Sequence, residues 1–395
     1  MDVPERFSNL PEYTWPRLRA LLDAHAPGGE VVNLTIGEPR HAFPEFLPEA
    51  IQDSVAGFGR YPPNNGSPAL LGAITDWILR RYGVSLSEDQ VMALNGTREG
   101  LFSAAVALSP EVISGAKPFV LMPNPFYQVY MIGALAAGAE PVFLPATQET
   151  GYLPDLEALS DEMLDRTSVF YLCSPANPQG AVASRDYLRR MLKLAEAHDF
   201  RVFSDECYSE VWRNEAPPGI LDVAAEMDAD VERVFAFHSL SKRSNLPGIR
   251  SGFVAGGPKG IAEIRRLRAY AGAPLPGPIQ EASARVWGDE SHVEASRQRY
   301  RDKFEMADRI FKGVPGYSSP PAGFFLWLDV GNGEEAALKL WRETGVRVLP
   351  GAYLSRDVND ENPGDRYIRV ALVADEPELE RGLTLLRDCI FDVRN

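Results

Sequence analysis

Cysteine and histidine are scarce in this chain of 395 residues. Its cysteines, Cys173, Cys207 and Cys389, lie far apart and form no Cys-x-x-Cys pair, so we expect free thiols in a reducing compartment. None of the five histidines stands at metal-ligand spacing, and no metal bound by side chains is expected. Apolar runs of about 18 residues are absent, and the N-terminus lacks the apolar core of a signal peptide. These absences together predict a cytoplasmic protein.

Basic residues are outnumbered by acidic ones, 40 to 55, which gives a formal net charge of -15. No Lys/Arg block interrupts this acidic balance, so neither nucleic acid nor a membrane surface is an expected partner. Hydrophobic residues make up 45% of the chain, enough to bury a large core at this length. Length and composition therefore predict a globular protein with two domains, or one large domain with a smaller satellite.

Short apolar runs alternate with helical patterns along the first two thirds of the chain. This alternation is typical of βαβ units and predicts a parallel sheet, whose site residues follow the carboxyl ends of the strands. The runs interpreted as buried strands are 91–94, 119–122, 168–173, 201–204 and 234–237.

Gly96-Thr97-Arg98 follows the first of these strands and begins a helix. The unpaired amides of a first helical turn, together with the helix dipole, favour a dianionic phosphate, and glycine permits close approach. The Thr97 hydroxyl either adds a hydrogen bond to such an anion or caps the helix.

Asp205 ends another buried strand, and Tyr208 follows it by three residues. A carboxylate in this position is costly unless it meets a cation, which makes Asp205 a candidate ligand of a positively charged group. The alternative is a carboxylate that only caps a turn.

Two further motifs stand together after strand 234–237: Ser239-Leu240-Ser241-Lys242 and Leu246-Pro247-Gly248-Ile249-Arg250-Ser251-Gly252. Hydroxyls, an amine and a guanidinium in one turn-rich segment suit a phosphate beside a reactive amine. One alternative is a polar loop with an incidental lysine. Another is the Ser-x-x-Lys nucleophile of penicillin-recognising acyl hydrolases, but the Ser-Asp-Asn and Lys-Thr-Gly elements of that class are absent.

These motifs resemble the cofactor-lysine segment of the class I and II aminotransferases, which are pyridoxal 5'-phosphate (PLP) enzymes of fold type I. The resemblance implies an α/β fold with a large PLP-binding domain, in which a mostly parallel seven-stranded sheet lies between helices. A smaller α/β C-terminal domain should follow. The expected boundaries are 1–45 for an N-terminal arm belonging to the small domain, 46–287 for the large domain and 288–395 for the small domain.

The resemblance also implies roles for individual residues. Lys242 would bind PLP covalently and move the proton, Asp205 would keep the pyridine nitrogen protonated, and Tyr208 with Asn177 would bind the phenolic oxygen. Tyr127 would stack on the pyridine ring. The residues expected to anchor the phosphate are Gly96, Thr97, Arg98, Ser239, Ser241 and Arg250, with Tyr61 contributed by the neighbouring subunit of a homodimer.

The substrate contacts implied by the resemblance are Gly37, Asn177 and Arg369. Arg369, in the run Arg369-Val370-Ala371-Leu372, would hold the substrate α-carboxylate with both arms of its guanidinium. A substrate with a second, distal carboxylate needs another cation. Arg40 in the turn Gly37-Glu38-Pro39-Arg40 is our choice for it, and Arg98 is the second candidate.

Several segments are similar to the aminotransferases that act on N-succinyldiaminopimelate in lysine biosynthesis with glutamate and 2-oxoglutarate as the other couple. The similar segments include 124–128, 205–210 and 237–245, while Ala176, Gln179 and the proline-rich stretch 271–278 depart from the pattern. Another amino-acid aminotransferase or a PLP-dependent carbon–sulfur lyase of the same fold are the alternatives. A PLP-binding regulator without catalysis is disfavoured, because no DNA-binding domain or basic patch is present.

Overall fold

The computed structural model describes residues 5–8 and 10–391. All the predicted site residues lie in these ranges, whereas the ends of the predicted N-terminal arm (1–45) and C-terminal domain (288–395) fall partly outside them.

The strands of the described chain are short and mostly buried. In chain order they are β1 (Val32–Asn33), β2 (Val91–Leu94), β3 (Phe119–Asn124), β4 (Glu140–Pro145), β5 (Thr167–Cys173), β6 (Arg201–Asp205), β7 (Val234–Ser239), β8 (Gly252–Gly256), β9 (Phe325–Asp329), β10 (Val346–Arg347), β11 (Leu349–Pro350) and β12 (Tyr367–Ala371).

The helices cover both faces of the main sheet and most of the C-terminal part. They are α1 (Thr14–Leu22), α2 (Leu47–Asp53), α3 (Pro68–Tyr82), α4 (Thr97–Leu108), α5 (Gln128–Ala136), α6 (Asp161–Asp165), α7 (Arg185–Ala197), α8 (Ile220–Met227), α9 (Leu240–Arg243), α10 (Pro258–Ala271), α11 (Gly277–Gly288), α12 (Ser291–Ile310), α13 (Gly333–Thr344) and α14 (Glu376–Leu386). Short 3-10 helices lie at Glu5–Phe7, Val55–Gly59, Glu88–Gln90, Leu156–Ala158, Val231–Arg233, Pro247–Ile249 and Gly351–Leu354, and a π-helix at Arg387–Phe391.

Seven strands form the main sheet in the spatial order β2-β8-β7-β6-β5-β3-β4. All neighbours are parallel except β8, which runs antiparallel to both β2 and β7. Every residue of β2, β5 and β7 is buried, as expected for strands with helices on both faces. The predicted fold class is confirmed, and the carboxyl ends of β5, β6 and β7 lie side by side.

Local signals position the helices between these strands. The Ser67 hydroxyl caps α3 by accepting the Leu70 amide, Pro68 occupies the first turn, and Gly83 ends the helix in a left-handed conformation (φ 71°). Ser184 caps α7 in the same way by accepting the Tyr187 amide. The sequence pattern predicts a helix over 184–198, and α7 begins and ends within a residue of these limits.

The C-terminal part of the chain contains a second, smaller sheet of three antiparallel strands, β11-β12-β9. The sequence predicts the run 366–372 as the central strand of this part, and β12 lies in the centre. The N-terminal segment packs here, because β1 pairs in parallel with β10. Val32 and Leu34 lie in one hydrophobic cluster with residues of α12, α13 and α14. The boundaries at residues 46 and 288 remain predictions.

The apolar run before Gly37 predicts a strand over 31–36, but only Val32 and Asn33 form one. The Asn33 side chain accepts hydrogen bonds from the amide and hydroxyl of Thr35, at 3.1 and 2.7 Å, and this local turn ends the pairing. No helix of residues 5–8 and 10–391 is both long enough and apolar enough to cross a bilayer.

Candidate active site

A cavity of about 1120 Å³ opens at the carboxyl ends of the central strands. It is lined by residues from the main sheet, by Gly37 from the N-terminal segment and by Arg369 from β12. The other predicted residues that line it are Thr97, Arg98, Tyr127, Asn177, Asp205, Tyr208, Ser239, Ser241, Lys242 and Arg250. The fold therefore brings together side chains that are as far as 332 positions apart in the sequence, from Gly37 to Arg369.

At one end of the cavity, the lining residue Arg250 packs against Gly96 and forms a cradle with it, although Gly96 itself does not line the cavity. Gly96 has a positive φ of 80°, and a Cβ atom at this position would collide with Nη2 of Arg250. Arg250 also has a left-handed backbone (φ 53°), and its Nη1 donates to the carbonyl of Pro247 at 3.0 Å. The first turn of α4 begins directly after Gly96, so backbone amides and a guanidinium converge on one small space. This arrangement suits a phosphate.

The hydroxyls near the cradle already have partners. Thr97 Oγ1 lies 3.1 Å from the Cys207 Sγ atom. Ser239 caps α9: its Oγ accepts the Ser241 amide at 3.1 Å and donates to Ser241 Oγ at 2.9 Å. A phosphate bound here must therefore share these hydroxyls with protein groups.

Lys242 lies on α9, and its Nζ donates to the carbonyl of Gly37. Burial lowers the pKa of Lys242 from 10.5 to about 8, and the positive charges of Arg369 and Arg250 act in the same direction. A lysine with this pKa carries a substantial neutral fraction near pH 7, which is the form that attacks a carbonyl carbon.

Asp205 is a buried carboxylate at the end of β6. Its Oδ1 accepts the Cys207 amide at 3.3 Å, and its Oδ2 accepts the hydroxyl of Tyr130 at 2.7 Å. Burial raises the pKa of Asp205, while these hydrogen bonds act to lower it. Tyr130 was not among the residues predicted from the sequence. The signal was a tyrosine within the apolar helix α5, since a buried hydroxyl requires a partner.

A second buried network lies behind Asp205 and was also not predicted. The Oε2 atom of Glu206 is 3.2 Å from Nε2 of His238 and accepts the hydroxyl of Tyr82 at 3.1 Å. Its Oε1 atom accepts the Ile220 amide at 2.8 Å. Because Glu206 follows β6 and His238 lies in β7, this network joins the ends of the two strands that carry Asp205 and Ser239.

Arg369 is buried at the opposite end of the cavity. Its Nη1 donates to Oδ1 of Asn177 at 3.0 Å and its Nη2 to the carbonyl of Thr35 at 2.8 Å. Its Nε is buried without a hydrogen-bond partner among the described residues. Burial lowers the pKa of Arg369 to about 10, so the guanidinium remains charged at neutral pH. A buried cation with an unpartnered donor fits a carboxylate of a substrate.

Arg98 and Tyr127 form a pair in the cavity wall. The Nε atom of Arg98 donates to the Tyr127 hydroxyl at 2.6 Å, and this hydrogen bond raises the pKa of Arg98. Its two Nη groups make no hydrogen bond within the part of the chain that the structure describes. Arg98 is therefore a cation of the cavity whose remaining donors are available to a ligand.

The structure does not bring Arg40 to the site. Its Nη1 is paired with Oε2 of Glu378 at 3.0 Å, its Nη2 donates to the Asn33 carbonyl at 3.3 Å, and its side chain is 44% exposed. Arg40 does not line the cavity. The choice of Arg40 as the second cation is corrected, because an ion pair with α14 holds the side chain outside.

Tyr61 is fully exposed and does not line the cavity of its own chain. Its assignment to the phosphate of a neighbouring subunit stays a prediction.

The residues of the cavity fit PLP. The Gly96–Arg250 cradle, in which a Cβ atom on Gly96 would strike the guanidinium, would hold the phosphate, the Lys242 amine would reach the aldehyde, and the Asp205 carboxylate would meet the pyridine nitrogen. Tyr127 and Tyr208 also line the cavity and supply aromatic surface and a hydroxyl.

Comparison with known proteins gives the same result. Residues 29–386 match the family described as aminotransferase class I and II. An LL-diaminopimelate aminotransferase of Dehalococcoides mccartyi is 32% identical over 98% of both chains, and OxyQ of Streptomyces rimosus, a 4-dedimethylamino-4-oxo-anhydrotetracycline transaminase, is 31% identical over 94% of this chain and 97% of its own.

Solved structures agree with the sequence relatives. An aminotransferase from Neisseria meningitidis superposes with a TM-score of 0.93 at 35% identity and covers 98% of this chain and 100% of its own. The aminotransferase AspB from Helicobacter pylori has a TM-score of 0.90 at 34% identity, with 97% and 99% covered. From its motifs, its fold and these relatives, the chain belongs to the class I and II aminotransferases, a family of enzymes that depend on pyridoxal phosphate.

Proposed function

We propose that this enzyme transfers an amino group between glutamate and a keto acid of the diaminopimelate type, a substrate with a second carboxylate far from its reacting amine. The observation that carries the proposal is the set of four cations in one cavity, Arg98, Lys242, Arg250 and Arg369. Lys242 would bind the aldehyde of PLP, Arg250 its phosphate and Arg369 the α-carboxylate of the substrate. Arg98 therefore remains for the second carboxylate.

Each residue has a distinct part in the reaction. When bound, PLP supplies an aldehyde that captures amines and a ring that accepts electrons from the substrate Cα atom. Lys242 would take the proton from the substrate Cα atom and return it, because its lowered pKa of about 8 suits both directions. Asp205 would hold a proton on the ring nitrogen by its negative charge, and Tyr208 with Asn177 would bind the phenolic oxygen.

Arg369 would orient the substrate by its α-carboxylate. Its partners Asn177 and Thr35 hold the guanidinium in place, so little entropy is lost when a carboxylate meets the unpartnered Nε. Arg98 would then receive the distal carboxylate, with Tyr127 holding its Nε. Two fixed cations in one cavity select substrates with two carboxylates.

The names of several relatives support this class of substrate. LL-diaminopimelate aminotransferases from Desulforudis audaxviator and Dehalococcoides mccartyi match 98% of the chain at 31 and 32% identity. Free LL-diaminopimelate and its N-succinyl derivative share the distal carboxylate, so Arg98 serves either substrate. The motif resemblance favours the N-succinyl form, and either substrate places the enzyme in lysine biosynthesis.

A substrate panel tests the proposal. Amino acids are added one at a time to the PLP-loaded enzyme, and loss of its visible absorption band is followed by addition of 2-oxoglutarate. We expect glutamate and one form of diaminopimelate to remove the band, and 2-oxoglutarate to restore it after diaminopimelate. Parallel samples with LL-diaminopimelate and N-succinyl-LL-diaminopimelate decide between the two forms. Release of pyruvate and ammonia from cystathionine, without recovery of the band, would instead identify a carbon–sulfur lyase.

We further infer that the site is shared between two subunits of a homodimer. The fully exposed Tyr61 lies on a turn close in sequence to another exposed aromatic residue, Phe58. If Tyr61 serves the partner's phosphate, mixing Lys242→Ala with an impaired Tyr61→Phe enzyme creates heterodimers with one native site. Random exchange should then recover about a quarter of the native activity. No recovery after verified exchange would assign Tyr61 to its own subunit or to neither site.

A further inference from the structure

We propose that Tyr130 is a positioning residue for PLP, which acts through Asp205 by holding one oxygen of that carboxylate and stabilising its ionised form. The inference rests on the proposed role of Asp205 as partner of the pyridine nitrogen. It adds a residue from helix α5 that controls the charge and the orientation of the Asp205 carboxylate.

The contact is buried and geometrically constrained. Tyr130 lies in α5 with no exposed surface, and its hydroxyl is 2.7 Å from Oδ2 of Asp205. Its ring stacks on Tyr171, with centroids 4.5 Å apart and planes inclined by 13°. The Tyr171 hydroxyl in turn donates to the carbonyl of Leu101 at 2.7 Å, which ties the stack to α4. Tyr130 therefore has little freedom to move away from Asp205.

The direction of the hydrogen bond follows from the charges around it. Burial raises the pKa of Tyr130 well above its usual value, and the negative charge of Asp205 raises it further, so the phenol keeps its proton and donates it. For Asp205, burial raises the pKa, whereas the Tyr130 hydrogen bond, the Cys207 amide and a charge on His238 lower it. Loss of the Tyr130 hydroxyl removes a donor from a buried charge, which is costly.

Among the described residues, none of the other titratable groups around Asp205 donates a side-chain hydrogen bond to its carboxylate by distance and angle. They are Tyr171 and Cys173 on β5, His238 on β7, Cys207 and Tyr208 after β6, and Tyr127 before α5. Burial raises the pKa of each of the tyrosines and cysteines in this group, so they are neutral near pH 7.

Tyr171 provides a matched control within the same stack. Both tyrosines are fully buried, and each donates one hydrogen bond of 2.7 Å, but the Tyr171 acceptor is a backbone carbonyl rather than the carboxylate. Tyr130→Phe and Tyr171→Phe each remove one hydroxyl and keep the ring. A purely structural role predicts similar behaviour for the two variants.

The experiment measures PLP affinity and retention in full-length protein, with thermal melting to verify folding. We expect Tyr130→Phe to weaken PLP binding by about 10- to 100-fold, as for loss of a hydrogen bond to a charged group. When the pH is lowered, Tyr130→Phe should also release PLP at a higher pH than the native protein does, because Asp205 without this donor becomes protonated at a higher pH. Tyr171→Phe should leave both measurements close to those of the native protein.

Two outcomes would overturn the inference, and a third variant separates them. Equal PLP affinity and equal acid limits in Tyr130→Phe and Tyr171→Phe would show that Tyr130 only packs. In that case Asp205→Asn should still weaken PLP binding. If Asp205→Asn itself binds PLP normally, the role proposed for Asp205 fails, and the inference about Tyr130 fails with it.

Discussion

The two ends of the cavity are built in different ways. At the cofactor end, each residue lies close to the end of a strand of the main sheet. These residues are Gly96 after β2, Asp205 at the end of β6, Ser239 at the end of β7 and Lys242 in the short helix α9 that follows β7. At the substrate end, Gly37, Asn177 and Arg369 come from three distant parts of the chain, and hydrogen bonds link the N-terminal segment to β12 through Arg369. Strand-end motifs organise the first end locally, whereas packing between distant segments assembles the second.

This difference explains why one arginine prediction failed. Arg369 has a place in a central strand, where burial and two partners hold it in the cavity. Arg40 lies in a turn with no such constraint, and an ion pair with Glu378 draws it to the surface. Arg98 begins α4 beside the cradle and therefore reaches the cavity through a local motif.

The largest expected effect comes from removing the residue at which the two ends meet. Lys242 lies on the cofactor side, yet its amine donates to Gly37 from the substrate side. Lys242→Ala should lose essentially all turnover, because no other lysine of the described residues lines the cavity to accept and return the substrate proton. Borohydride reduction of the native PLP-loaded enzyme, followed by peptide mapping, should label Lys242. A label on a different lysine would show that the reactive amine has been assigned to the wrong residue.

The cofactor end should be sensitive to the addition of one methyl group. In Gly96→Ala the new Cβ atom displaces the Arg250 guanidinium, and alanine is strained at a φ of 80°. We expect PLP affinity to fall by about 10- to 100-fold, the value of a charge-assisted contact. Gly72→Ala is the control, since a Cβ at that position in α3 meets no atom within 4 Å. Equal PLP affinity in the two variants would argue against the cradle.

The substrate end is tested by a pair of arginine variants. Arg98→Gln should lower kcat/KM for glutamate by about 10- to 100-fold and leave alanine nearly unaffected, because only glutamate has a distal carboxylate. Arg40→Gln removes an equally charged side chain outside the cavity and should change neither value. If only Arg40→Gln lowers kcat/KM for glutamate, Arg40 would be the second cation, as predicted from the sequence. The two domains would then have to move when the substrate binds.

The smallest expected effect is a pH dependence. Because the pKa of Lys242 is lowered to about 8, its amine loses its proton as pH rises through 8 instead of 10.5. The rate at which the PLP-free protein captures the cofactor should rise about tenfold between pH 7 and 9 and then level off. Stopped-flow absorbance measures this rate. A rate that still climbs steeply above pH 9 would indicate a lysine with its ordinary pKa.

From the sequence alone, the order of strands and helices along the chain, the class of fold and most of the cofactor end could be predicted. Buried parallel strands produce continuous apolar runs, and the residues that follow each parallel strand face the same edge of the sheet as those that precede the antiparallel β8. For this reason Asp205, Lys242 and Arg250 could be selected before any coordinates. Gly96 could be selected because a helix start after a glycine is readable locally.

Tertiary structure alone decided which groups contact one another across the cavity. Tyr130 is hidden in the apolar pattern of α5, and only the packing of that helix against α4, β3 and β4 brings its hydroxyl to Asp205. For a related reason, the carbonyl of Gly37 accepts a hydrogen bond from Lys242, and Arg98 rather than Arg40 lines the cavity. Such contacts depend on the separation and the angle between elements that are far apart in sequence. The packing of whole layers of side chains determines this separation and angle, and no short motif encodes them.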